Sequence, residues 1–213
     1  MKLYSYFRSS TSYRVRIALN LKGLDYELIP VNLQNAEQKA KTFTERNPFG
    51  SLPMLETGDR DRMQSMALLE WLEEVHPAPP LLPIDVDDRY TVRELSYAIA
   101  TELHAPLNLP VLTYLKSPLG HSQGEVDEWY RHWLARTLLP VERRLSQIGI
   151  GNYLFEAPGL FEVVLLPQLY NARRFAFDLS AMPHLNAIEA ACLALPAFQR
   201  AHPDNQPDNP ENN

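Results

Sequence analysis

Three consecutive hydroxyls, Ser9, Ser10 and Thr11, follow Arg8 where the extended run Leu3-Tyr4-Ser5-Tyr6 gives way to an amphipathic helical stretch. The first turn of a helix carries backbone N–H groups without intrahelical partners and the positive end of a dipole. It therefore suits an anion: a thiolate, a phosphate or a carboxylate. The bland reading is that one serine caps the helix and nothing more. A second helix start, Gln64-Ser65, offers the same pair of readings: a cap, or a seat for a ligand carboxylate on Ser65 and backbone amides. Leu52-Pro53 precedes a strand. Most X-Pro bonds are trans; a cis bond here would turn the Leu52 backbone outward, where its N–H and C=O could pair with a peptide-like ligand. Gln38 reads as a solvated helix residue unless it faces the same cleft. His104 and Asn108, four apart, could share a helical face, with a structural role the default for a lone histidine. Arg173-Arg174 close an apolar helix; solvation is the default, yet an arginine at a cleft mouth would suit a carboxylate substrate.

The composition excludes several classes. The 213 residues carry a formal net charge of −6, which leaves no basic excess for a general nucleic-acid binder. Arg8, Arg14, Arg16 and Lys22 nonetheless gather near the N-terminus and allow a local positive site. Cys192 is the only cysteine, so no intramolecular disulfide and no multi-cysteine metal site is expected. It lies in the apolar run Glu189-Ala-Ala-Cys-Leu-Ala-Leu195 and reads as a small core residue. The six histidines show no metal-ligand spacing, so no metal is expected. Glycine-rich phosphate loops and Gly-x-Ser-x-Gly are missing. The N-terminus turns polar too soon for a signal peptide and no apolar run reaches membrane-spanning length, so a cytoplasmic protein without membrane contact is expected.

The elements that must position these residues fall into two groups. Residues 2–7 and 26–32 read as strands, the second at an edge because of Pro30. Between them a helix runs from Thr11 to Lys22 and stops at Gly23. Residues 36–46 are polar with helix formers, Asn47-Pro-Phe-Gly50 is a turn, and two short strands flank Thr57-Gly-Asp59. A helix then starts at Ser65 and closes near His76. The order is β-α-β-α-β-β-α over residues 1–76, followed by a proline-rich linker, 77–85. Residues 86–202 read as all helical: 86–116 with a break at Pro106 and Pro110, then 123–147, 159–176, 183–194 and 196–201. Residues 203–213 have no apolar side chain beyond proline and are expected to be disordered.

These stretches together resemble the zeta class of the glutathione transferase superfamily, that is, the maleylacetoacetate and maleylpyruvate isomerases. The resemblance is carried by Tyr4-Ser-Tyr-Phe-Arg-Ser-Ser-Thr-Ser-Tyr-Arg-Val-Arg-Ile-Ala-Leu19, Asn47-Pro-Phe-Gly-Ser-Leu-Pro53, Gln64-Ser-Met-Ala-Leu-Leu-Glu-Trp-Leu-Glu-Glu74 and Leu166-Pro-Gln-Leu-Tyr-Asn-Ala-Arg-Arg-Phe175. It implies an α/β thioredoxin-like N-terminal domain with cis-Pro53, an all-α second domain and a homodimer. It also implies a glutathione site in which Gln64 and Ser65 hold the γ-glutamyl end and Leu52 pairs with the cysteinyl backbone. Gln38, His104 and Asn108 match glutathione-contacting positions. Ser9, Ser10 and Thr11 match the isomerases' Ser-Ser-Cys and would stabilise the thiolate, while Arg8 and Arg174 would clamp a small dicarboxylate substrate. Three places depart from the family pattern. Thr11 stands for the usual Cys, Leu103-His-Ala-Pro-Leu-Asn-Leu-Pro110 lacks one Asn and a basic residue, and Gly159-x-x-Glu162 replaces Thr-x-x-Asp. The expected activity is glutathione-dependent cis–trans isomerisation of a maleyl-type diacid. The alternatives are a transferase or dehalogenase acting on small electrophiles such as 2-haloacids, and a non-catalytic docking protein of the same fold.

Overall fold

Strand β1 (Lys2–Ser5) alternates its side chains across the sheet, so Leu3 and Ser5 are fully buried while Lys2 is exposed. This computed structural model describes residues 1–58 and 60–212. β1 lies parallel to β2 (Glu27–Pro30) and antiparallel to β3 (Met54–Thr57), and β3 pairs antiparallel with β4 (Arg60–Met63). The order β2-β1-β3-β4 leaves the proline-ended β2 at an edge, where a missing N–H does no harm. The expected turn between β3 and β4 includes Asp59, which lies outside the described residues. Leu3, opposite Leu55, fixes the register of the central pair. Tyr6, Phe7, Val31, Phe43, Leu52 and Met54 form a further core cluster.

Helix α1 (Ser10–Leu21) is buried along eight consecutive residues, Ser12 to Leu19, rather than on one stripe. Its two interior arginines are therefore drawn inside. The charge-rich N-terminal segment is thus no surface patch: Arg14, Arg16 and Lys22 are all buried. Arg16 donates through Nε to the Ala201 carbonyl (3.0 Å), through Nη1 to Ser5 Oγ (3.0 Å) and the Tyr6 carbonyl (3.4 Å), and through Nη2 to the Phe7 carbonyl (2.9 Å). Lys22 Nζ donates to Glu73 and to the carbonyls of His76 and Pro79, and so ties α1 to the end of α3 (Ser65–Val75). Between β2 and β3, residues 36–46 yield only a 3-10 turn (Glu37–Lys39) and the single-turn α2 (Lys41–Thr44).

The chain divides into two compact units, Met1–Leu81 with Leu193–Asn213, and Leu82–Cys192. The first is the thioredoxin-like unit and the second is all helical. The last helix, α10 (Pro196–Ala201), belongs with the first unit and not, as its place in the chain suggests, with the helical one. Asn20 donates to the Ala197 carbonyl and Arg16 to that of Ala201, which fastens α10 to α1. The disorder expected for 203–213 is not what the structure shows for 203–212. Composition misleads there because the segment is held by polar side chains. Gln206 donates to the carbonyls of Arg200 and His202, Asn212 to those of Asp204 and Gln206, and Asp208 Oδ2 accepts the Phe7 N–H at 2.8 Å. Gln206 and Asn209 are buried.

The helical unit holds α4 (Val86–Tyr97), a π turn (Ala98–Leu103), α5 (His104–Leu107), α6 (Leu109–Lys116), α7 (Gln123–Ile148), α8 (Leu160–Arg174) and α9 (Pro183–Leu193). The break expected near Pro106 and Pro110 falls between α5 and α6. Pro110 has no N–H to offer the Pro106 carbonyl, and the Trp129 indole N–H takes that carbonyl instead, at 2.9 Å. α8 starts without a hydroxyl cap. Glu162 reaches back to the Gly159 N–H and also accepts from Leu154, each at 2.8 Å. Among the described residues no helix is long and apolar enough to cross a membrane.

Candidate functional site

Ser9 is the cap of α1: its Oγ accepts the Ser12 N–H at 3.2 Å. It is also within 3.0 Å of Thr11 Oγ1, which donates to the Leu52 carbonyl at 3.0 Å. A threonine has one hydroxyl proton. Because Thr11 gives its proton to Leu52, the proton between the two hydroxyls comes from Ser9. The result is a directed chain, Ser9 to Thr11 to the Leu52 carbonyl, along the start of α1. The structure thus brings together Ser9, Thr11, Leu52 and the cis-bonded Pro53. Ser10 is the first residue of the helix. Arg8, half-buried beside them, lies with its guanidinium 5.0 Å from the Phe7 ring and forms no ion pair among the described residues.

The second helix start is built differently. Gln64 precedes α3 with φ at +69° and ψ at 108°, outside the regions a non-glycine residue favours, and its side chain does not cap the helix. Ser65 is buried, and its Oγ accepts from Arg14 Nη1 at 3.3 Å. Arg14 is 1% exposed, and its Nε and Nη2 have no hydrogen-bond partner among the described residues. Burial pushes its pKa down to about 10, so it remains a cation at neutral pH. Gln38, read as solvated, is in fact buried, with Oε1 an unpartnered acceptor.

In the helical unit, His104 opens α5 with Nδ1 3.4 Å from Gln168 Nε2. Asn108 does not share its helical face: it is extended (ψ 157°) and caps α6, its Oδ1 accepting the Val111 N–H at 3.1 Å. Pro110 forces that separation by ending the earlier helix. Arg174 is exposed at the end of α8 and donates to Asn171 Oδ1 at 3.2 Å. Its neighbour Arg173 is instead forked onto Glu189. The Arg174 guanidinium lies 5.7 Å from the Phe175 ring, which stacks on Tyr130 at 3.6 Å. Burial raises the Tyr130 phenol pKa, and the Arg174 charge opposes that rise.

In the sequence Arg14 counts only as one of the basic residues near the N-terminus, not as the partner of Ser65. The signal is an arginine within Tyr13-Arg-Val-Arg-Ile-Ala-Leu19, a largely apolar run.

The arrangement offers two helix starts that suit anions, one lined by hydroxyls and one backed by a buried cation. Comparison with known proteins agrees with that chemistry. Residues 1–74 match the model of the glutathione S-transferase N-terminal domain. The chain is 43% identical over 212 residues, 97% of each chain, to a probable maleylacetoacetate isomerase of Vibrio cholerae. It superposes with a TM-score of 0.95, at 41% identity over 98% of this chain and 99% of the other, on the holo structure of a maleylpyruvate isomerase described as a bacterial zeta-class glutathione S-transferase. A maleylacetoacetate isomerase from Anaeromyxobacter dehalogenans, 42% identical over 100% of this chain and 96% of its own at a TM-score of 0.86, was solved with dicarboxyethyl glutathione and citrate in its active site.

Proposed function

We propose that this chain, which belongs to the zeta-class glutathione transferase family of maleylacetoacetate and maleylpyruvate isomerases, catalyses the glutathione-dependent cis–trans isomerisation of a maleyl-type diacid. The carrying observation is the full-length likeness to a zeta-class maleylpyruvate isomerase at a TM-score of 0.95. The residues fit glutathione: a buried acceptor without a partner on Gln38, a buried cation behind Ser65, and hydroxyls at the start of α1.

Gln64 and Ser65 would hold the γ-glutamyl carboxylate, and Leu52 the cysteinyl backbone through the N–H and the remaining lone pair of its carbonyl. Gln38, His104 and Asn108 would add polar contacts; Asn108 has its amide N–H2 to give, its oxygen being engaged by Val111. When bound, glutathione supplies a thiolate that adds reversibly across the conjugated cis double bond, so that the bond rotates before elimination restores it as trans. The start of α1, where Ser9, Ser10 and Thr11 lie, places the positive end of the helix dipole against the sulfur and favours its ionised form over the thiol, whose ordinary pKa is about 8.5. Arg8 and Arg174 would each take a carboxylate of the diacid, orient it, and hold the negative charge that develops toward its conjugated carbonyl. Neither arginine is neutralised by an ion pair among the described residues, which suits that task. A cytoplasmic homodimer belongs to the same reading; light scattering at twice the 24.4 kDa chain mass tests the dimer.

The test of the function is maleylpyruvate isomerisation followed by absorbance, with and without glutathione. A glutathione-dependent rate supports it. Turnover of a 2-chloroacid with no diacid isomerisation selects the transferase or dehalogenase instead, and failure to bind glutathione at millimolar concentration selects the docking protein.

A further inference from the structure

We infer that Arg14 is the positioning residue of the carboxylate seat at the start of α3: it directs the Ser65 hydroxyl and supplies the buried positive charge that a ligand carboxylate neutralises. This rests on the reading of Gln64 and Ser65 as the γ-glutamyl site.

Three cations of the first unit are buried, and two of them are saturated. Arg16 gives four hydrogen bonds to Ser5, Tyr6, Phe7 and Ala201. Lys22 gives three, one of them to the Glu73 carboxylate. Arg14, on the same helix as Arg16 and as deeply buried, gives one, to Ser65, and leaves Nε and Nη2 without partners among the described residues. Interiors do not ordinarily hold a cation that way, because a buried charge without a counter-charge is strongly unfavourable. The helix it addresses is also short of acceptors. α1, α4, α6 and α7 each begin with a side chain accepting a first-turn N–H, from Ser9, Asp85, Asn108 and Ser122, whereas α2, α5, α8 and α10 begin without one. The residue preceding α3 makes no such bond, and no acidic residue lies in its first turn.

The chemistry of the two side chains then fixes a direction. A guanidinium has only donors, so Ser65 Oγ accepts from Arg14 and must aim its single proton elsewhere. That proton, the free first-turn N–H groups and the charge behind them suit a carboxylate and oppose an ammonium. Glutathione carries such a carboxylate on its γ-glutamyl residue.

The test is calorimetry on the full-length protein with two ligands. One is glutathione; the other is 4-aminobutyryl-cysteinyl-glycine, which is glutathione with that carboxylate replaced by hydrogen. Wild type is expected to prefer glutathione by roughly tenfold or more. In Arg14→Met that preference is expected to shrink to about threefold or less, with the affinity for the analogue nearly unchanged. Arg14→Gln, neutral but still a donor, is the second variant and is read in the same way if the first does not fold. Equal loss of both ligands, or a preference kept in either variant, overturns the proposal and leaves Arg14 a structural residue. No preference in wild type overturns it together with the role of Ser65, while the isomerisation assay judges the activity separately.

Discussion

The Thr11 hydroxyl donates to the carbonyl of Leu52 across 3.0 Å and lies 3.0 Å from Ser9 Oγ, which ties the start of α1 to the turn before β3. Its proton is therefore engaged by backbone. Thr11→Val should cost about 1 kcal/mol of stability, one hydrogen bond's worth, in urea unfolding. It should lower kcat/KM by less than about tenfold. A loss of about 100-fold or more, the size of a direct donor to developing charge, would place Thr11 against the sulfur instead.

Asp208 holds the other side of the same loop. Its carboxylate accepts the Phe7 N–H, and Arg16 donates to the Phe7 carbonyl, so the residue before Arg8 is held through both of its backbone polar groups. Asp208→Ala strands a buried N–H and should cost about 1–3 kcal/mol, whereas Asp208→Asn keeps an acceptor oxygen and should cost less. Truncation after His202 should destabilise at least as much as Asp208→Ala. A truncated chain within about 0.5 kcal/mol of the full one would mean that the tail does not pack as described.

Adjacent arginines at the end of α8 should separate cleanly. Arg173 is forked onto Glu189, a buried carboxylate that would be left without this partner, so Arg173→Ala should destabilise the protein. Arg174 is exposed and bonds only to Asn171 among its described contacts, so Arg174→Ala should change stability by less than about 0.5 kcal/mol. Arg174→Ala should raise KM for the diacid by roughly tenfold while leaving that for glutathione unchanged. An unaltered diacid KM removes Arg174 from substrate binding.

Cys192 should be inert. Burial pushes its thiol pKa well above the ordinary value, with the charges of Glu162 and Glu189 acting in the same sense. A raised thiol pKa means less thiolate at any working pH, so iodoacetamide at pH 8 should label the unfolded chain and spare the native one. Rapid labelling of the native protein would contradict its placement.

Much of this was legible in the sequence. A serine cap and Gly23 mark the ends of α1, Pro30 marks an edge strand and Pro110 a break, whereas Ser65, which reads as a cap, is the first residue of α3 and bonds to Arg14 instead. These are local effects of a missing donor or a free hydroxyl, and local chemistry is what a single sequence carries. What was not legible depends on contacts far apart in the chain. Gln38 looked solvated because its neighbours are polar, and nothing local reports its burial. The tail looked disordered because it lacks apolar residues, yet Asp208 bonds to Phe7, 201 positions away. The spacing of His104 and Asn108 pairs them on one helical face, but Pro110 ends that helix and leaves Asn108 extended. Arg14 lies between these cases: the charge is visible in the sequence, but its partner Ser65 is 51 positions away.

The most direct test of the central claim is maleylpyruvate isomerisation measured with glutathione and, separately, with S-methylglutathione, whose sulfur is blocked. Turnover is expected with glutathione alone, and the S-methyl form should inhibit competitively with it. Turnover supported equally by both, or by neither, would contradict it.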